Sequence, residues 1–478
     1  MSLKIFNTMG MRKEEFKPLR DGEVRIYACG PTVYDYIHIG NARAFVVADV
    51  IRRYLEYKGF KVTFVSNITD VDDKMIRRSQ EMGLSIQQLG EIFSNAYFED
   101  IAALNIRKPD VNPRATQHIP EIIEAVQKLI EKGYAYQANG DIYFDVSKFE
   151  EYGKLSGNKT EALEMGARIE INPKKKNPAD FALWKAQKEG EPGWHSPWGW
   201  GRPGWHIECS TMAMKYLGET LDIHMGGKDL IFPHHENEIA QAEALTGKPF
   251  ARYWIHNEWL TVEGQKMSKS LGNFITVREA LKTCSPNALR FFLISAHYRS
   301  PIDFNNENLN LAKTNLEKII NTLERLNSLE ERTERREEEE ALIHQVREAR
   351  KKFEEAMNDD FNTPIAIAAI FEMIKAVNNY ADKNHEIESA IKKEVYETMK
   401  TLVCDVLGIT IETKKKKETD ETTLIPNLVE LILEIRQELR RRKEWKLSDE
   451  IRDKLQKLGF TIEDTPQGAK WKLEKRES

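Results

Sequence analysis

Two rhythms of apolar residues govern the start of the chain. Val24-Arg25-Ile26-Tyr27-Ala28-Cys29 is a short, mostly apolar run halted by Gly30-Pro31, the mark of a buried strand. From Asn41 to Leu55 apolar residues return at the spacing of one helical face, and Lys61 to Ile68 is strand-like again. Strand, helix and strand in so little chain predict a βαβ unit of a parallel sheet. Ligands of such sheets lie beyond the carboxyl ends of the strands, here next to Cys29 and Ile68.

From about residue 120 to 205 the rhythm is lost. A basic turn, Pro173 to Pro178, precedes five tryptophans (Trp184, Trp194, Trp198, Trp200 and Trp205) set among glycines and prolines. This stretch reads as an insertion whose return path is a rigid loop, with the tryptophans packing rather than touching ligand. Sheet-type sequence resumes at Leu221-Asp222-Ile223-His224, and beyond Ala288 the chain turns helical. The charged run Glu330 to Glu340 predicts a linker or an exposed helix. Lys414 to Lys417 mark a second seam. After it, Leu428 to Lys446 predicts an amphipathic helix capped by Asn427, with Arg440, Arg441, Arg442 and Lys443 on its basic face.

At 478 residues the chain exceeds what one core organises and predicts roughly three or four domains. No apolar run approaches the ~20 residues of a membrane span, and the opening Met-Ser-Leu-Lys-Ile-Phe-Asn has no signal-like stretch. A cytoplasmic protein with no membrane partner is therefore expected. A net charge of −5 announces no nucleic-acid partner, so any basic surface must be local. Cys29, Cys209, Cys284 and Cys404 are dispersed singly, which argues against a disulfide scaffold and leaves metal ligation or burial.

Candidate chemistry concentrates in two places. The run Gly-Gln-Lys-Met-Ser-Lys-Ser-Leu-Gly-Asn-Phe sets Lys266 and Lys269 on one loop with Ser268, Ser270 and Gly272, suited to following a phosphate whose charge is being redistributed. Taken alone, such a loop is ordinarily a solvated surface turn. His38-Ile39-Gly40-Asn41 changes that, because it opens the first helix, where unpaired N–H groups and the positive dipole end favour phosphate. Gly40 permits close approach to the backbone, and His38 can donate to a phosphoryl oxygen. The second place is Cys29, Cys209, His234 and Glu238. His234 and Glu238 are four apart and share a helical face. Two thiols, an imidazole and a carboxylate suit Zn²⁺. Spacing alone would not pair the distant cysteines, and core burial or ordinary hydrogen bonding accounts equally well for each residue taken singly.

The helix-start signature and the lysine loop together resemble those of class I aminoacyl-tRNA synthetases, which bind ATP between a His-Ile-Gly-His type signature and a Lys-Met-Ser-Lys-Ser loop. Asn41 stands where the second histidine is usual. Tyr27 to Asp35, Gly201 to Ser210, Phe232 to Glu238 and Glu463 to Gly468 are similar to the cysteinyl-tRNA synthetases, and the similarity runs essentially the whole length. It implies an α/β fold: a Rossmann-type parallel-sheet catalytic domain with an insertion, followed by a helical bundle and a small C-terminal anticodon-binding domain. The implied limits are 1–120 and 205–255 for the two halves of the catalytic domain and 121–204 for the connective insertion. A stem-contact region with the lysine loop takes 256–310, a helical-bundle tRNA-binding domain 311–412, and the anticodon-binding domain 413–478.

The resemblance also implies the activity: L-cysteine is activated with ATP to cysteinyl-adenylate and transferred to the 3′-terminal adenosine of tRNA(Cys) by a monomeric enzyme. One Zn²⁺ per chain, on Cys29, Cys209, His234 and Glu238, would hold the substrate thiol, and Mg²⁺ would accompany ATP. His38, Lys266 and Lys269 would be catalytic. Thr32, His38, Gly40, Asn41, Gly227, Asp229, Lys266, Ser268 and Lys269 would bind ATP, and Cys29, Trp205 and His224 would form the cysteine pocket. Met225 stands where family members commonly carry a small residue. A metal would explain how cysteine is told from serine, since an apolar pocket separates near-isosteres by only about one to two orders of magnitude. Two other readings compete. A cysteine ligase with a non-tRNA acceptor would need no helical extension from about 310 onward, nor basic, aromatic-bearing elements such as Arg440 to Trp445. An inactive RNA-binding paralogue would not keep His38, both loop lysines and all four metal ligands.

Overall fold

The computed structural model describes residues 2–157, 174–267, 271–411, 421–465 and 468–473. Two compact units result, Met1–Ile411 and Glu412–Ser478. A four-stranded parallel sheet organises the first. Strand β1 (Glu23–Ala28), helix α1 (Ile39–Tyr57) and strand β2 (Lys61–Ser66) form the expected βαβ unit, with Glu23 opposite Lys61 and Ala28 opposite Ser66. Helix α2 (Trp205–Leu217), strand β3 (Leu221–Gly227), helix α3 (Glu236–Thr246) and strand β4 (Ala251–Asn257) complete it in the order β4-β3-β1-β2. The chain winds one way from β1 and the other way from β3, so a crevice opens at their carboxyl ends.

Both faces of the sheet are covered, which is why its strands read as continuous apolar runs. Val24, Ile26 and Ala28 pack with Val46 and Val50 of α1. Tyr27, Leu221 and Trp254 pack with Ile207 and Ala213 of α2 and Ile239 of α3. Cys29 follows two residues after Tyr27 and joins the second of these clusters.

The insertion contains the helix Ile119–Glu131 and a five-stranded antiparallel sheet. Its tryptophan-rich return is not the loop expected but sheet. Trp184 lies in the strand Phe181–Ala186, Trp194 in Trp194–Ser196 and Trp200 in Gly199–Pro203. The glycines that suggested a loop serve close packing instead: a Cβ on Gly201 would collide with the Trp184 ring and the Lys185 carbonyl.

Helices Asn306–Ser328, Glu337–Asn358, Thr363–Ala381 and Ser389–Lys400 pack together beyond the sheet. The charged run before them is neither linker nor wholly exposed helix. Glu330–Arg332 is a short strand paired with Glu386–Glu388, and the rest enters the helix Glu337–Asn358. Glu339 is buried there because its carboxylate accepts from Arg332, the Tyr380 hydroxyl and the Glu388 N–H.

The second unit consists of helices Glu421–Arg441 and Trp445–Lys457 and the hairpin Phe460–Thr465 with Gly468–Leu473. Two expectations are corrected here. The polar Glu421-Thr422-Thr423 already belongs to the helix, so Asn427 is internal to it and no cap. The span to Lys446 is broken at Lys443, whose left-handed backbone (φ 62°) separates the two helices. The seam Lys414 to Lys417 lies outside the described residues. Among the described residues no helix is long and apolar enough to cross a membrane.

Candidate active site

A cleft of about 340 Å³ opens at the carboxyl ends of β1 and β3. It is lined by Cys29, Thr32, His38, Gly40, Asn41, Trp205, Gly227, Asp229 and Lys266. Cys209, His224, His234 and Glu238 are buried. Ser268 and Lys269 lie outside the described residues.

His38 is the N-cap of α1. Its Nδ1 accepts the Asn41 N–H at 3.1 Å, and Asn41 Oδ1 accepts the His38 N–H at 3.3 Å. This reciprocal box leaves the imidazole proton on Nε2, the donor a phosphate needs. It also accounts for an amide at the signature's fourth position, since the oxygen caps while the amino group can still donate. Gly40 is required between them: a Cβ there would stand 2.9 Å from His38 Nδ1 and 3.3 Å from Met267 Cε.

The exit of the lysine loop is tied to the same helix start. Ile39 N–H donates to the Ile275 carbonyl at 3.1 Å and Val277 N–H to the Ile37 carbonyl at 3.0 Å. Phe274 stands edge-on to His38 at 5.1 Å. On the entering side, the Lys266 ammonium rests 4.6 Å from the centre of the Trp259 ring. Arg43, fully buried on α1, fixes that wall by donating to the carbonyls of Glu258, Trp259, His297 and Ser300 at 2.5 to 3.1 Å. Burial lowers its pKa to about 10. Nothing in the sequence signals this role, because the four acceptors are backbone atoms far along the chain.

The donor atoms of Cys29, Cys209, His234 and Glu238 lie within 4.8 Å of one another. Cys209 sits in the second turn of α2, Glu238 in the first turn of α3, and His234 in the turn Ile231–His235 that leads into it. His234 Nε2 is 3.0 Å from Glu238 Oε1, and the Cys29 thiol donates to the same oxygen at 3.4 Å. The other nitrogen of His234, Nδ1, meets His206 Nδ1 at 2.9 Å, so Nε2 faces the cluster. Burial opposes charge on both partners of the pair. The Glu238 carboxylate nevertheless raises His234 to about 10, while His224 and His234 hold Glu238 at about 2. Contact with Cys29 lowers Cys209 to about 6, and burial pushes Cys29 up. Two thiols, one of them readily ionised, with an imidazole and an ionised carboxylate fit a soft divalent cation.

A second set, Cys29, His224, His235 and Glu238, meets the same distance criterion and shares two residues with the first. His224 Nε2 stands 2.9 Å from Glu238 Oε2 and its ring stacks on Trp254 at 4.5 Å. His224 therefore stands beside the candidate metal cluster, behind Glu238. His235 Nδ1 meets His256 Nε2 at 2.7 Å, and His256 Nδ1 meets the Thr8 hydroxyl at 2.8 Å. Burial depresses His256 to about 3 and His235 well below the usual range, so both are neutral. His206, His235 and His256 were not singled out in the sequence, although the doublet His234-His235 and the three-residue step from His206 to Cys209 were available signals. Met225 alternates with His224 along β3 and packs on the α1 side with Ala28 and Phe45. Trp205 lines the cleft, tilted against His234 at 4.1 Å.

Comparison with known proteins establishes the family. The family model described as the tRNA synthetases class I (C) catalytic domain matches residues 15–314. A DALR domain model matches 352–412 and a cysteinyl-tRNA ligase anticodon binding domain model 423–471. The cysteine–tRNA ligase of Thermococcus onnurineus (strain NA1) is 53% identical over 477 residues, covering 99% of each chain. That of Clostridioides difficile (strain 630) is 50% identical over 475 residues, 98% of this chain and 100% of that one. Among solved structures, Mycobacterium tuberculosis methionyl-tRNA synthetase in complex with methionyl-adenylate shares the fold, with a TM-score of 0.60 at 15% identity over 80% of this chain and 89% of that chain. The chain belongs to the cysteine–tRNA ligase family of class I aminoacyl-tRNA synthetases, enzymes that join cysteine to tRNA.

Proposed function

We propose that this member of the family activates L-cysteine with ATP to cysteinyl-adenylate and passes the cysteinyl group to the 3′-terminal adenosine of tRNA(Cys). One observation carries the proposal: phosphate-handling groups and a thiol-bearing metal cluster meet in one cleft, at Cys29, His38 and Lys266. The cysteine carboxylate attacks the α-phosphorus of ATP, and pyrophosphate leaves with the electrons of the broken bond. Catalysis of such a step is mostly positioning and charge stabilisation. His38 Nε2–H and the start of α1 hold phosphate oxygens from one side, Lys266 and Lys269 close from the other, and Mg²⁺ travels with the nucleotide. Gly227 and Asp229 face the ribose, and Thr32, Gly40, Asn41 and Ser268 complete the ATP contacts. The 2′-hydroxyl of the tRNA then attacks the carbonyl carbon, and AMP leaves.

Cys29, Cys209, His234 and Glu238 would hold the metal, favoured over the overlapping set because two thiolates suit Zn²⁺ better than one. Bound there, zinc would prefer a substrate thiolate to a serine hydroxyl, a discrimination an apolar pocket cannot reach. The domain limits 1–120, 121–204, 205–255, 256–310, 311–412 and 413–478 are retained as assignments of catalytic, connective, stem-contact, bundle and anticodon roles. Lys269→Ala is expected to slow adenylate formation at least about tenfold with little change in cysteine affinity. Near-normal pyrophosphate exchange in that variant would overturn the proposal.

A further inference from the structure

One cation of the cleft is used neither by the metal cluster nor by the triphosphate. Lys74, in the first turn of the helix Asp73–Met82, is exposed at the cleft's rim with its ammonium 5.6 Å from the centre of the Tyr34 ring. The carboxylates beside it are committed elsewhere. Asp72 caps the helix by accepting the Met75 N–H at 2.7 Å, and burial raises its pKa above the usual carboxylate value. Asp73 binds Lys185 at 2.8 Å and also Arg202. Burial opposes its charge, but the two cations outweigh that and hold it at about 2.

Topology separates Lys74 from the ATP-handling lysines. It follows β2, one edge of the sheet, whereas Lys266 follows β4, the opposite edge. The substrate cysteine has other partners in the proposed reaction. With its thiol at Cys29, its carboxylate is only three bonds from that sulfur and must face His38 for attack on phosphorus. An exposed rim cation meets what enters from outside, and the reaction brings in one further anion, the RNA strand.

Resting on the activity proposed above, we propose that Lys74 holds a phosphodiester of the tRNA 3′ end as it enters the cleft. Lysine at such a point supplies charge rather than base recognition. Lys74→Gln should leave cysteine-dependent ATP–pyrophosphate exchange within about twofold of wild type while KM for tRNA in charging rises about tenfold. The slope of log affinity for tRNA against log salt should become shallower by about 0.7, the signature of one lost phosphate contact on a single strand. Lys74→Arg should restore both, which a packing role for the lysine stem would not require. Exchange falling in parallel with charging would overturn the inference in favour of a carboxylate or nucleotide contact. An unchanged KM and salt slope would overturn it outright. Absence of cysteine-dependent exchange in the wild-type enzyme would instead sink the underlying activity.

Discussion

Asn41 has one oxygen and one amino group, and its position in the signature can use both. The oxygen closes the box on His38, which leaves the amino group of this cleft-lining residue able to donate. The overlapping metal sets are separable at this scale. His234→Ala removes a proposed ligand and should lower zinc affinity by more than about a hundredfold, whereas His224→Ala removes a carboxylate-orienting partner and should cost about ten- to a hundredfold. Competition with a chromogenic chelator reads both, and the reverse order would transfer the ion to the other set. His256 gives a pH prediction. Burial and the nearby His224 depress it to about 3 in the fold, against about 6.5 when unfolded. Between those values the unfolded chain binds the extra proton, so stability is lost as pH falls below about 6.5. His256→Gln should flatten that decline by about one proton, or about 1.4 kcal/mol per pH unit, and an equally steep Tm–pH curve would contradict it. Residues proposed to touch substrate were legible because their neighbours in sequence form motifs. Arg43, His206, His235 and His256 were not, because contacts across the fold define their roles.

Secondary-structure elements were read well where one rhythm lasted and poorly where glycine served packing rather than turning. The βαβ unit emerged almost residue by residue, since α1 and its flanking strands are buried on the faces their patterns announce. The tryptophan-rich return failed because its glycines and prolines hide extended strands. Gly204 is the sharpest case. It is the N-cap of α2 at φ −71°, which any residue could adopt, yet a Cβ there would run into the Ala182 carbonyl. Gly204→Ala should therefore displace the helix carrying Trp205 and Cys209 from the insertion sheet. A loss of roughly 3 kcal/mol or more is expected, seen as a Tm lower by several degrees together with weaker zinc binding. Unchanged values of both would mean that the contact relaxes freely. Lys443 taught a related lesson, because a left-handed break at lysine leaves no composition signal.

For the whole molecule, the sheet order β4-β3-β1-β2 brings together residues separated by most of the first 270 positions. Cys29 and His38 arrive from β1, Cys209 and Glu238 from the helices flanking β3, and Lys266 from beyond β4. No spacing rule pairs these positions. Their convergence was legible only through the family resemblance, and the fold supplies its physical cause. The proposed cysteine selection and adenylate formation would thereby share one cleft, and a single assay reads both. ATP–pyrophosphate exchange by the zinc-loaded enzyme should proceed with cysteine and exceed that with serine by more than the roughly hundredfold an apolar pocket could provide. Exchange that is absent with cysteine, or that serine supports to within a hundredfold, would contradict the central claim.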